Sequence, residues 1–301
     1  MLHRISWRLR AGTIASQRLY TTMAEHLVPL PAVEKLSERV IRVLGANPGK
    51  FTLQGTNTYI IGTGPSRLLL DTGEGKPGWI ASLKTVLHDE KISISHVLLS
   101  HWHHDHIRGV PDLLSHSPDT KVYKRDPEEG WEDIEDGKVF KTEGATLRAF
   151  HCPGHTKDHM AFVLEEEGAM FTADNVLGQG TAVFEDLATY LSSLASMQNE
   201  FKGRAYPGHG PVIKDGPAKI AEYIKHRKQR EKQVLDVLAG EKEGGWSAIA
   251  IVKIIYKDYP ESLWEPAKAG VLQILRKLES EGKVVWEKDT DTWRLSGKAI
   301  L

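Results

Sequence analysis

His101-Trp102-His103-His104-Asp105-His106 is the stretch on which the reading of this chain turns. Four imidazoles and a carboxylate crowd into it, although the whole 301-residue chain has only 14 histidines. Neutral imidazole is the commonest nitrogen ligand for zinc, and a carboxylate adds an oxygen ligand beside it. In an extended or turning segment His101 and His103 project to one side, while Asp105 and His106 turn past them toward a second point. Two adjacent metals are then geometrically reasonable. The apolar run His96-Val97-Leu98-Leu99 reads as a buried strand. The cluster therefore sits just past a strand's carboxyl end, where loops carry sites on a rigid frame.

Working outward, Val40-Ile41-Arg42-Val43-Leu44, Thr58-Tyr59-Ile60-Ile61-Gly62 and Arg67-Leu68-Leu69-Leu70-Asp71 are strand-like runs separated by Gly, Pro and Asn turns. Asp71 closes the last of them as a turn residue or as a group that fixes a ligating histidine's tautomer. Trp79, Ile80, Leu83, Val86 and Leu87 have helical spacing, and a second helix covers Val110, Leu113 and Leu114. Downstream, Thr146 to Phe150, Ala161 to Leu164 and Ala169 to Thr172 read as strands, and residues 187–200 and 217–238 as helices. Three further candidate ligands follow: His155 in Pro153-Gly154-His155-Thr156, Asp174 at a strand end, and His209 in Pro207-Gly208-His209-Gly210. Each lies beside glycine or at a strand terminus, where the backbone can turn sharply. Asp105 is the candidate for orienting water and passing a proton to the leaving group, unless it is a ligand alone. His159, after His155 in a tight turn, is either a donor to a substrate oxyanion or a packed structural group.

Composition bounds the rest. Hydrophobic residues make up 40% and charged residues 26%, and no stretch approaches the roughly 20 apolar residues of a spanning helix, so no membrane insertion is expected. A net charge of -1 provides no overall field for nucleic acid. Cys152, the only cysteine, excludes an internal disulfide and a site of several thiolates. Residues 1–25 differ from the remainder: Arg4, Arg8, Arg10 and Arg18, with Ser6 and Ser16, alternate with apolar residues and precede Glu25. They read as a mitochondrial targeting segment, with the matrix as destination, or the cytoplasm if translation starts at Met23.

Gly240 to Gly245 reads as a linker. Beyond it, Ile249, Val252, Ile255 and Tyr256 mark one helix and Val271, Leu272, Ile274, Leu275 and Leu278 another, followed by a hairpin from Lys283-Val284-Val285-Trp286 and Thr292-Trp293-Arg294-Leu295. Residues 245–301 thus form a small winged-helix-like unit whose acids balance its bases, which disfavours DNA reading.

The run from His101 to His106 matches the HxHxDH signature of metallo-β-lactamase-fold hydrolases, and His155, Asp174 and His209 follow in the expected order. The resemblance implies an α/β fold, the metallo-β-lactamase αββα sandwich, over residues 30–239, with the winged-helix-like domain after it. It also implies two Zn2+ per chain: His101, His103 and His155 for the first, Asp105, His106 and His209 for the second, and Asp174 between them. His104 occupies the variable position. Two metals about 3.5–4 Å apart activate water and polarise a carbonyl or phosphoryl oxygen without a protein nucleophile. Arg108, where a small residue is usual, and Ala173, where glycine is common, depart from the pattern.

Asn47 to Tyr59 and Thr181 to Leu187 resemble the lactamase-like-protein subfamily, which includes fungal polyketide thioesterases and a mitochondrial endoribonuclease. Gly49-Lys50-Phe51 and His103-His104 resemble the thioesterases; the leader resembles the mitochondrial branch. The expectation is a zinc-dependent thioesterase releasing a polyketide acyl chain from the acyl carrier protein of a polyketide synthase. One alternative is an endoribonuclease specific for single-stranded RNA, with Lys225-His226-Arg227-Lys228-Gln229-Arg230 along its channel. Another is a non-enzymatic binding or assembly protein that uses the helix around Val271 to Leu278 as its partner surface.

Overall fold

Strands that are apolar on both faces need cover on each side. The computed structural model, which describes residues 27–240 and 244–297, provides it with an αββα sandwich followed by a small helical unit that ends in a hairpin. The arginine-rich leader expected to direct import lies outside the described residues, as does the middle of the glycine linker.

The first sheet runs β1 (Val33–Lys35), β2 (Val40–Leu44), β3 (Asn57–Ile61), β4 (Ser66–Leu70), β5 (Ser93–Leu99), β6 (Lys121–Lys124) and β7 (Glu132–Asp133), side by side in chain order. It is antiparallel as far as β4 and parallel beyond it. The second contains β8 (Val139–Thr142), β9 (Ala145–His151), β10 (Met160–Leu164), β11 (Ala169–Ala173) and β12 (Ala205–Pro207); only the β11–β12 pair is parallel.

The two-residue period of a strand sorts the side chains into layers. Tyr59, Ile61, Leu68, Leu70 and Leu98 face the other sheet, where they join Phe162, Leu164, Phe171 and Tyr206 in one core cluster. Their neighbours Ile60, Leu69, Val97 and Leu99 face outward onto Trp79, Leu83 and Leu113 of α1 (Pro77–Asp89) and α3 (Val110–His116). Between those helices lies α2 (His104–Ile107), a single turn. On the far side α4 (Leu187–Glu200) and α5 (Gly216–Leu238) cover Ala161, Val163 and Met170 of the second sheet. Each large apolar side chain so buried contributes about 1.5–3 kcal/mol. No described helix is long and apolar enough to cross a membrane.

The C-terminal unit comprises α6 (Ala248–Ile255), α7 (Trp264–Ser280) and the hairpin β13 (Val284–Glu287) with β14 (Thr292–Leu295). Its core is continuous with the outer core of the sandwich: Leu194, Tyr223 and Val234 belong to the same cluster as Ile251, Val271, Leu275 and Leu278. This corrects the assembly-protein reading, because Val271, Ile274, Leu275 and Leu278 are buried inside the molecule and are not available to a partner. Asp71, the 101–106 run, His155, Asp174 and His209 follow β4, β5, β9, β11 and β12, so strand carboxyl ends from both sheets deliver the site.

Candidate metal centre

The histidine run turns sharply after β5. His103 stands in extended conformation at the start of α2, and that one helical turn carries Asp105 and His106 round while leaving His104 exposed. Asp71 leaves β4 with φ +60°, in the left-handed region that aspartate enters more readily than most residues. Ala173 has φ +41°, so the departure from glycine before Asp174 places a Cβ in a conformation that disfavours one. At Gly208 an added Cβ would lie 2.2 Å from Asp174 Oδ1, and only glycine lets the last loop pass that carboxylate.

These turns gather every expected ligand into two neighbouring groups, His101, His103, His155 and Asp174 in one and Asp105, His106 and His209 in the other. His103 Nδ1 lies 3.0 Å from His101 Nε2 and 3.1 Å from His155 Nε2. In the second group Asp105 Oδ2 lies 3.2 Å from His209 Nε2 and 3.5 Å from His106 Nε2. Asp174 stands between them: its Oδ2 is 3.3 Å from His209 Nε2, 3.7 Å from His155 Nε2 and 4.0 Å from His101 Nε2. Tetrahedral zinc with bonds near 2.0–2.1 Å separates its ligand atoms by about 3.3–3.4 Å, which falls within this spread. Moreover, His106 Nε2 and Asp174 Oδ1 are buried 3.5 Å apart, too misaligned for a hydrogen bond with each other and with no other partner, the state expected of atoms reserved for a cation. The donor set and its spacing therefore fit a divalent metal centre.

The far nitrogens of four histidines are held from behind. His106 Nδ1 lies 2.8 Å from Asp71 Oδ2, and Asp71 also accepts from the Ser100 N–H at 2.8 Å and the Ser100 hydroxyl at 2.9 Å. His101 Nδ1 is 2.9 Å from Ser100 Oγ, His155 Nδ1 is 2.8 Å from Val183 O, and His209 Nδ1 is 3.4 Å from Gly55 O. A carbonyl only accepts, so the proton of His155 resides on Nδ1 and the lone pair of Nε2 faces the site. Asp71 is thus where the sequence reading expected it. Ser100 was missed, although its place beside His101 was a signal; the Val183 and Gly55 carbonyls leave no trace in a sequence.

Burial lowers the proton affinity of His101 well below its ordinary value and that of His103 to about 4, so both stay neutral at neutral pH. In the second group carboxylates outweigh burial: Asp174 and hydrogen bonds to Asp105 and Asp174 raise His209 to about 9, and Asp174, Asp71 and Asp105 hold His106 well above its usual range. Burial opposes ionisation of Asp105, but His106 and His209 prevail and bring it down to about 2.

The groups open onto a cavity of about 390 Å³, with Lys50, Phe51 and Leu53 on one side and Leu177 and residues 179–183 on the other. One expectation changes. His159 does not line this cavity; it is fully buried beneath His101 and His155, with Nδ1 3.3 Å from Cys152 Sγ, so it packs under the site and reaches no substrate oxyanion. Arg108 is exposed and likewise absent from the cavity wall. In the basic run on α5, Arg227 and Arg230 turn toward Phe184 and Tyr256, and the run does not border the metal cavity as an RNA channel would require.

Residues 51–213 match the Metallo-beta-lactamase superfamily, and residues 247–293 match the Beta-lactamase associated winged helix domain. Lactamase-like protein aptB of Emericella nidulans is 47% identical over 278 residues, covering 89% of this chain and 90% of that protein. Atrochrysone carboxyl ACP thioesterase of Claviceps purpurea is 46% identical over 273 residues, 88% of each. Among solved structures, a beta-lactamase domain protein from Burkholderia ambifaria gives a TM-score of 0.73 at 18% identity, over 94% of this chain and 98% of that one. A metallo-beta-lactamase family protein from Thermus thermophilus gives 0.68 at 21%, over 87% and 100%.

Proposed function

This chain belongs to the metallo-beta-lactamase superfamily and is a hydrolase, and from that premise we propose that it is a two-zinc thioesterase releasing a polyketide acyl chain from an acyl carrier protein. The observation that carries this reading is the likeness to an acyl-carrier thioesterase, which extends over 88% of the chain.

His101, His103 and His155 would hold one zinc, Asp105, His106 and His209 the other, with Asp174 shared. Zinc bound there would polarise the thioester carbonyl and make water acidic enough to attack it at neutral pH. The chain's own groups do the remainder. Asp105 is ionised at neutral pH, lines the cavity, and has Oδ2 turned to His209 and His106; its carboxylate is placed to orient water and to carry the proton to the departing sulfur. Phe51, Leu53, Leu177 and Val183 give the cavity an apolar rim suited to an acyl chain. Cys152 is no nucleophile: burial pushes its thiol up to about 12 and keeps it from solvent.

The test is hydrolysis of an acyl-carrier thioester by the zinc-loaded chain, with single-stranded RNA in parallel. Thioester cleavage that disappears with a chelator and falls by about 10²-fold or more in Asp105→Asn is expected. Metal-dependent cleavage of RNA but not of the thioester would refute the reading.

A further inference from the structure

A second cavity, of about 210 Å³, adjoins the metal cavity and shares Thr181 with it as a wall. It lies between α5 and the C-terminal unit, so it exists only where both are present. His226, Arg227 and Arg230 line it, and no carboxylate does. Arg227 donates to Ala182 O at 2.8 Å and Arg230 to Gln233 Oε1 at 3.0 Å, both neutral acceptors. Each guanidinium lies over an aromatic ring, Arg227 at 4.7 Å from the centre of Phe184 and Arg230 at 4.8 Å from that of Tyr256. Stacking of this kind fixes the plane of the fork and leaves its N–H edge to bind.

Concentrating two arginines in a half-buried cavity without a counter-charge is unfavourable on folding grounds alone; burial lowers the proton affinity of Arg227, and Arg230 adds repulsion. Arg227 Nε and His226 Nδ1 are buried with no hydrogen-bond partner. An anion would offset the positive charge, and guanidinium forks match phosphate bidentately. The neighbouring cavity, on the thioesterase reading, receives a substrate that has a phosphate of its own: a carrier protein bears its thioester on a prosthetic arm joined through a phosphodiester.

We propose that the cavity between α5 and the C-terminal unit is a phosphate site, with Arg227 and Arg230 gripping the phosphodiester of the arm while its thioester end lies at the metal groups. This rests on the thioesterase reading. It assigns the C-terminal unit a role in substrate recognition, since Tyr256 and α7 complete the wall.

The zinc-loaded full chain is assayed on one acyl group borne by phosphopantetheine and by pantetheine. Phosphopantetheine is expected to lower KM about tenfold, the value of a charge-assisted hydrogen-bond pair. Arg230→Gln, which leaves the Arg227–Ala182 contact in place, should bring the ratio of the two KM values close to one, and Arg230→Lys should fall between because a point charge lacks the fork. Equal KM values in the natural chain, or a ratio that Arg230→Gln does not move, overturns the proposal. Thermal unfolding shows whether each variant is folded, and the lysine variant serves if the glutamine variant is not. Calorimetric binding of the two unacylated arms reads the site without turnover. If neither thioester is cleaved the thioesterase reading fails, while tighter binding of the phosphorylated arm still supports the phosphate site and equal binding sinks it. Displacement of phosphopantetheine by a tighter-binding single-stranded oligonucleotide would reassign the cavity to a nucleic-acid backbone.

Discussion

Asp71 leaves β4 at φ +60°, and that single backbone angle brings one carboxylate to both Ser100 and His106. Its charge favours His106 with the proton on Nδ1, which aims Nε2 at the second metal group. Asp71→Asn is expected to weaken metal binding at the Asp105, His106 and His209 group about 10–100-fold, as read by competition with a chromogenic chelator. Equal weakening of both groups would mean that Asp71 supports the fold at large and not His106. The aspartate was legible as a candidate because it ends a strand; its partner was not, because the approach of β4 to β5 is a tertiary fact. Cys152 is a second case. With its thiol buried and its pKa raised to about 12, native protein at pH 8 is expected to leave a chromogenic disulfide reagent unreacted until guanidinium is added. Rapid stoichiometric reaction in the native state would contradict this.

At the scale of elements, strands with apolar faces on both sides, such as Leu68 to Leu70 and Val97 to Leu99, were visible from their runs. The missed strands β1, β6, β7 and β8 are short, and each carries lysine or acid, as edge and near-edge strands often require. The helical turn α2 was invisible for another reason. Four residues carry no periodicity, and only the packing of His106 against Asp71 reveals the turn. Loop and helix meet closely at Gly154, which has φ +130° and whose added Cβ would lie 2.4 Å from Tyr190 Cα in α4. Gly154→Ala combines left-handed strain with overpacking and should lower stability by about 3 kcal/mol or more, and the displaced loop should lower occupancy at the His155 group. Urea unfolding measures the first and metal analysis the second; a loss below about 1 kcal/mol would show that α4 can yield.

For the whole molecule, the outer core is one body. Val271, Ile274, Leu275 and Leu278 share a cluster with Leu194, Tyr223 and Val234, and removing the C-terminal unit would strip α6 and α7 from α4 and α5, against which they pack. At about 1.5–3 kcal/mol for each large side chain uncovered, the loss rivals the 5–15 kcal/mol that typically holds a domain together. A chain ending at Ala239 is therefore expected to aggregate or to unfold without a cooperative transition, judged by size exclusion and thermal melting. A soluble, cooperatively folding fragment would show that the sandwich is self-sufficient.

Sequence alone singled out the candidate metal ligands, because residue type decides which side chains can ligate and the HxHxDH spacing is local. The layered α/β class followed from the resemblance that this run carries, while the apolar runs of the inner strands marked where the sheets lie. Only the tertiary structure decided that His159 lies beneath the site and not in it, that Val183 O and Ser100 contact His155 and His101 from behind, and that Arg227 and Arg230 face a cavity between the two parts of the chain. Those facts depend on contacts between residues far apart in the chain, and burial and orientation are set by what packs against a side chain, which no local pattern records.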